Sequence, residues 1–183
     1  MARWTRRVDR LKDDHGWTAK PGYQIFVADR GAVRFDFPKT WEVRPGDDSI
    51  KFYDKPPPND DCLLQVSLIH LPPGIDWTAL PLATVLREVG GKDERGITGR
   101  GEVVTVKRLD LELVWNESWF TDPTEHRTAC SRLCFARGSN IQACVTLDFW
   151  PEDVDRVNPV WEEVLRSLRL GDYVDDPNSR RLH

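Results

Sequence analysis

Glu117 is the residue whose type and setting point most directly to chemistry. It falls between Trp115 and Trp119 in a β-rich stretch. Period-two alternation there puts Leu109, Leu111, Leu113, Trp115, Glu117 and Trp119 on one face. A carboxylate against two indoles is destabilised in its ionised form unless a cation meets it. His126, Arg127 and Arg132 lie on the strand that follows and can supply that cation. Such an arrangement can serve as a general acid or base, or can anchor a ligand against an aromatic wall. The alternative is a satisfied ion pair near a strand end. The candidate binding residues are therefore Glu117, Trp115, Trp119, His126 and Arg132.

Other chemistries are less well supplied. His126, Cys130 and Cys134 have an H-x3-C-x3-C spacing that would suit zinc on a helix, but the segment reads as a strand, which spreads them apart. No metal site is expected, and Cys62, Cys130, Cys134 and Cys144 read as small buried apolar residues. Gly96-Ile97-Thr98-Gly99-Arg100-Gly101 lacks the Lys-Ser/Thr ending and the following helix of a phosphate loop. Neither G-x-S-x-G nor H-E-x-x-H occurs. No cofactor and no catalytic residue is assigned.

The elements that must position these residues can be traced along the chain. Tyr23–Ala28 and Ala32–Phe37 read as strands around the Asp29-Arg30-Gly31 turn, and Pro38 stops the second. Ile50–Tyr53 and the apolar run Cys62–Leu71 follow, separated by a proline-rich polar loop. Leu82, Val85, Leu86 and Val89 have helical spacing, so Pro81–Val89 is the first helix. The Trp115–Trp119 strand comes next. Arg127–Ala136 and Ile141–Trp150 then form a hairpin. Setting Ala129, Leu133 and Phe135 on the face of Ala143, Val145, Leu147 and Phe149 requires a three-residue Gly138-Ser139-Asn140 loop. That register places Cys134 opposite Cys144, where a disulfide is geometrically conceivable, and Arg132 beside Asp148. The last helix reads from an Asn158 cap with Pro159 at its first position to Gly171, with Val160, Trp161, Val164, Leu165 and Leu168 as its apolar stripe.

Length and composition bound the function. A chain of 183 residues makes one domain by the usual prior. The expected division is an N-terminal extension over 1–22, a domain over 23–171 and a flexible tail over 172–183. Trp4, Val8 and Leu11, flanked by arginines, would make one stripe of a short basic helix in the extension. A net charge of −4 with both signs interspersed argues against nucleic acid as a partner. No apolar run reaches the roughly 18 residues of a membrane span. Reduced cysteines and no apolar segment after the N-terminal charges make the cytoplasm the expected location. Arginine exceeds lysine 19 to 7, read here as the coding bias of a GC-rich bacterial genome. The eight tryptophans are the most unusual feature.

Strands, a helix, an antiparallel run and a closing helix predict an α+β fold, an antiparallel β-sheet with helices packed on both faces, or α/β/α sandwich. Phe35-Asp36-Phe37-Pro38-Lys39-Thr40-Trp41 and the closing Trp161-Glu162-Glu163-Val164-Leu165-Arg166-Ser167-Leu168-Arg169-Leu170 resemble the Mog1/PsbP-like superfamily. The resemblance covers about residues 23–170 in element order. It implies a scaffold that mostly serves binding: Mog1 proteins bind a small GTPase, PsbP proteins bind photosystem II, and bacterial relatives include lipoproteins and secretion chaperones. The expected function is a non-catalytic module recognising a protein partner, with a homodimer among the expected assemblies. The alternative is a small-molecule or lipid binder, or an enzyme, with a pocket lined by Trp115, Glu117 and Trp119.

Overall fold

The computed structural model describes residues 16–173. The expected basic helix at the N-terminus and all but the first two residues of the expected tail lie outside these residues. The chain runs β1 (Tyr23–Ala28), β2 (Val33–Pro38), β3 (Glu42–Pro45), β4 (Ile50–Tyr53), β5 (Cys62–His70), α1 (Leu82–Gly91), β6 (Ile97–Arg100), β7 (Val104–Lys107), β8 (Glu112–Thr121), β9 (Thr128–Gly138), β10 (Ile141–Phe149), α2 (Val154–Ser167) and β11 (Arg169–Leu170). An eight-stranded antiparallel sheet has the order β3-β4-β5-β10-β9-β8-β6, with β7 also paired to β8. A smaller sheet has the order β1-β2-β11.

The expected α+β architecture with helices on both faces is the one found, with the small sheet as an additional part of one layer. On one face of the large sheet, Leu82 and Leu86 of α1 pack against Val114 and Phe135. On the other, α2 and the small sheet share a core with Phe52, Leu64, Leu113, Cys134 and Leu147. Aromatic rings join the two sheets. The Phe52 ring centroid lies 4.9 Å from Phe26, 5.4 Å from Phe35 and 4.9 Å from Phe37. Edge and tilted geometries of this kind add to the burial of the rings.

Two local expectations are corrected. The β9–β10 hairpin turns on Ser139 and Asn140 alone, both with positive φ (49° and 61°), and Ile141 pairs with Gly138. This two-residue turn matches the natural twist of a hairpin. Cys134 is therefore opposite Val145, and Arg132 opposite Leu147. Cys130, Arg132, Cys134 and Ala136 face α2, whereas Leu133 and Phe135 face α1. Both faces of β9 are covered, so apolar residues could not reveal which was which. Helix α2 also starts earlier than Asn158. It follows a turn led by Pro151, and Pro159 sits inside it. Burial of Val157 supports the additional turn, and the ring of Pro159 points to an exposed position.

The α2–β11 segment closes the small sheet. The Asp36 N–H, on the edge of β2 away from β1, donates to Ser167 Oγ at 2.8 Å. Just beyond, Arg169 and Leu170 pair with Arg34 and Val33. Gly171 has φ +70°, and a Cβ there would lie 2.4 Å from Ser139 Cβ. Glycine is required by both conformation and space.

Two buried carboxylates sit at this junction, Asp36 and Glu163. Burial, then the nearby Glu163 charge, push Asp36 up; Arg166, Arg34 and Arg169 oppose this. Hydrogen bonding from Arg166 holds Glu163 below its usual range against the effect of its burial. The two groups have opposite pH linkage. Asp36 favours the fold when protonated, and that contribution is lost as pH rises above roughly 4. Glu163 favours the fold when ionised, and its contribution is lost as pH falls below roughly 4. Asp36→Asn should therefore be more stable than the parent at pH 7, with the difference shrinking towards pH 4. Urea midpoints at the two pH values check this.

Candidate functional site

Glu117 and Arg132 are direct cross-strand partners on β8 and β9. Arg132 Nε donates to Glu117 Oε2 at 2.8 Å, and Arg132 Nη2 donates to Asn158 Oδ1 of α2 at 2.6 Å. The Arg132 guanidinium lies 5.0 Å from the Phe149 ring, 5.7 Å from Trp115 and 5.9 Å from Trp161. Trp115 and Trp161 meet edge to face at 5.6 Å. Arg132 is only 5 % exposed. A guanidinium tolerates this setting because its planar face is weakly hydrated and stacks on aromatic faces while its edge keeps hydrogen bonds. The structure brings Trp115, Glu117 and Arg132 together, and of His126, Arg127 and Arg132 the cation that meets Glu117 is Arg132.

Trp119 shares the face of Trp115 and Glu117 and packs against the same core, whereas His126 and Arg127 lie apart. His126 is exposed in the β8–β9 turn with φ 53°, its N–H donating to the Asp122 carbonyl at 2.9 Å. It does not share the Glu117 strand pairing, because the chain between Thr121 and Thr128 is the turn itself. Arg127 covers the Trp150 ring at 3.6 Å and bonds Glu152 at 2.5 Å. Trp119 lies beside β6, where a Cβ on Gly99 would come 3.2 Å from its ring. Leu109 departs from the expected face because period two stops at a turn: Arg108 N–H bonds the Leu111 carbonyl, and Leu109 is fully exposed at the tip.

The thiols are poor nucleophiles. Burial pushes Cys130 and Cys144 up to about 11, and pushes Cys62 and Cys134 up as well. Cys134 and Cys144 lie on opposite faces of the sheet, which removes the disulfide that the three-residue loop would have allowed. Cys130 and Cys134 stay on strand β9 while His126 is in the turn.

The surface also carries an open depression that sequence reading did not signal. An open cleft of about 880 Å³ is lined by Arg108, Leu109, Asp110, Arg166, Arg169 and Asp172, among others. Arg108 donates to the Leu165 and Leu168 carbonyls at the end of α2, at 3.1 and 2.9 Å, and also bonds Asp110. Arg169 donates to the Leu168 carbonyl at 2.9 Å. Burial, then the Arg108 charge, hold Arg169 below its usual value; Arg34 and Arg166 add to this and Asp110 opposes it. The sequence signal is limited to Arg166 and Arg169 near the end of the last helix, where cations complement the helix dipole.

The architecture is a PsbP/Mog1-like α+β fold. Cyanobacterial PsbP (CyanoP) from Synechocystis sp. PCC 6803 is similar in structure, with TM-score 0.56 and 13% identity over 85% of this chain and 96% of that one. LpqN of Mycobacterium tuberculosis, described as involved in cell envelope biogenesis, is similar at TM-score 0.55 and 13% identity, over 81% of this chain and 90% of that one. The chain belongs to the Alr1449 family, which it matches over residues 24–174. It is 47% identical to the uncharacterized protein alr1449 of Nostoc sp. strain PCC 7120, over 96% of this chain and 92% of that protein. Among the described residues, no helix is long and apolar enough to cross a membrane.

Removing Glu117 would strand the Arg132 charge among aromatic rings. Glu117→Gln should cost about 3 kcal/mol, at the low end for a buried pair because the Glu117 side chain is 22% exposed. Glu117→Gln/Arg132→Met should recover part of that loss. Urea denaturation of both variants checks this, and an unchanged Glu117→Gln midpoint would show that the pair is not structural.

Proposed function

We propose that the protein is a non-catalytic binding module that recognises a protein partner through the arginine-lined cleft. The observation carrying this reading is Leu109, fully exposed at the rim of a cleft bordered by Arg108, Arg166 and Arg169. An apolar anchor flanked by Arg108, Arg166 and Arg169, with Asp110 and Asp172 also on the lining, suits a peptide segment bearing a bulky apolar side chain beside acidic residues. The engagement of Glu117 by Arg132 supports the same reading, since the best-placed proton-transfer group is already neutralised.

Fluorescence anisotropy with a labelled acidic peptide containing leucine or phenylalanine tests the proposal. Binding should weaken between 50 and 200 mM salt. Leu109→Ala combined with Arg166→Ala should weaken it about tenfold, the equivalent of roughly 1.4 kcal/mol. Equal affinity for acidic and basic peptides would overturn it.

One observation favours a small-molecule or lipid ligand beside Trp115, Glu117 and Trp119. The buried Trp161 indole N–H has no hydrogen-bond partner among the described residues, and its ring abuts Trp115. Under this second reading, native mass spectrometry of freshly purified protein should show an extra small mass that a denatured control lacks. A clean mass together with acidic-peptide binding would decide for the first reading.

A further inference from the structure

Pairing the charges that line the cleft leaves one guanidinium over. Asp110 is taken by Arg108, whose Nε donates to Oδ1 at 2.9 Å and whose Nη2 bonds Oδ2. Asp172 accepts from Arg34 Nη2 at 2.7 Å. Arg166 Nε donates to Glu163 Oε2 at 3.0 Å. The remaining cation of the lining is Arg169. Its Nε lies 3.7 Å from Asp110 Oδ2, too far for a hydrogen bond.

Arg169 is nevertheless held in place. Its Nη1 donates to the Arg166 and Leu168 carbonyls, at 3.2 and 2.9 Å. Arg108 reaches the same two carbonyls, at 3.3 and 2.9 Å. The C-terminal end of α2 thus draws two guanidiniums together, as its dipole favours. Burial and the Arg108 charge both disfavour the Arg169 cation. Among the described residues, nothing accepts a hydrogen bond from its Nε or Nη2. The side chain is 38% exposed, so a solute can reach it. A fixed guanidinium with one edge of open donors and no counter-ion of its own is suited to an oxyanion.

We infer that Arg169 is the anion receptor of the cleft, and that its Nε and Nη2 take a single carboxylate of the partner segment. Charge decides the class of anion. The lining carries one positive charge in excess, and a carboxylate cancels it. A phosphate dianion would overshoot beside Asp110 and Asp172. The inference rests on the peptide-binding reading and narrows it: Arg169 reads the acidic residue beside the apolar anchor, and a phosphorylated segment gains nothing.

Titration of the full chain with sodium acetate, followed through the arginine Nε–H signals in NMR, tests the receptor without a peptide. Arg169→Lys identifies the Arg169 signal by its loss. That signal should shift saturably with acetate and not with sodium chloride at the same ionic strength. Anisotropy with labelled, end-blocked peptides tests the partner. Replacing glutamate by glutamine beside leucine should weaken binding about tenfold, the scale of one charge-assisted contact. Recovery on freeing the C-terminus of the glutamine peptide would assign a main-chain carboxylate, and no recovery a side-chain one; both support the receptor. In Arg169→Gln the difference between the glutamate and glutamine peptides should vanish, and in Arg169→Lys part of it should remain, with urea midpoints confirming that each variant folds. An Arg169 signal indifferent to acetate, or tighter binding of a phosphoserine peptide than of the glutamate peptide, would overturn the inference. A saturable acetate shift without leucine-dependent peptide binding would leave the receptor standing and sink the peptide reading.

Discussion

A guanidinium buried among three aromatic rings constrains the rest of this fold. Arg132 is acceptable inside only while Glu117 and Asn158 hold its edge and Trp115, Phe149 and Trp161 cover its faces. Those partners come from β8, β10 and α2. One side chain thus fixes the relation of three elements to β9. A one-residue slip of β9 would turn the arginine to the α1 side of the sheet, away from Asn158 and the Trp161 ring. Strand β9 has apolar residues on both faces, so hydrophobic burial alone gives weak discrimination between registers. The ion pair supplies the missing specificity at a cost in desolvation.

Much of the architecture was legible because its signals are local. The α1 stripe, the strand runs and the shared face of Trp115, Glu117 and Trp119 follow from spacing alone. Failures arose where local signals were ambiguous or incomplete. Ser139 and Asn140 adopt left-handed conformations that polar residues accept, so the turn needed no third residue. Pro159 resembled a helix start, yet Pro151 plays that part and the apolar face of α2 carries the chain past the second proline. Glu117 could be paired with an arginine but not with the right one until the register was known. The arginine-lined cleft was illegible for a different reason: it joins residues 108–110 to 166–172 through tertiary contacts that leave no motif.

Several other charged groups act as internal braces. Asp54 Oδ1 accepts the N–H groups of Asp61 and Cys62, while its second oxygen accepts from Arg156 at 2.8 Å. That carboxylate closes the proline-rich loop onto β5 and ties it to α2. Arg95 spans Asp93, Asp148 and Ser131 and covers the Phe120 ring at 4.4 Å. Arg137 reaches the Trp77 and Leu80 carbonyls, at 2.6 and 2.9 Å, in the segment leading to α1. The Asp54–Arg156, Arg95–Asp148 and Arg137–Trp77 bonds join segments distant in sequence. The high charge content of the chain is therefore partly an assembly device and not only a soluble exterior.

The smallest strand has a temporal consequence. Strand β11 pairs with β2 across more than a hundred intervening residues, and the Gly171 N–H completes the junction on the Ala32 carbonyl at 3.0 Å. During synthesis the nascent chain can form β1, β2 and most of the large sheet while still attached to the ribosome. The free edge of β2 nevertheless stays open until α2 and β11 leave the exit tunnel. Final closure of the small sheet is thus deferred until α2 and β11 have been made, because loop-closing contacts cannot precede the residues that make them.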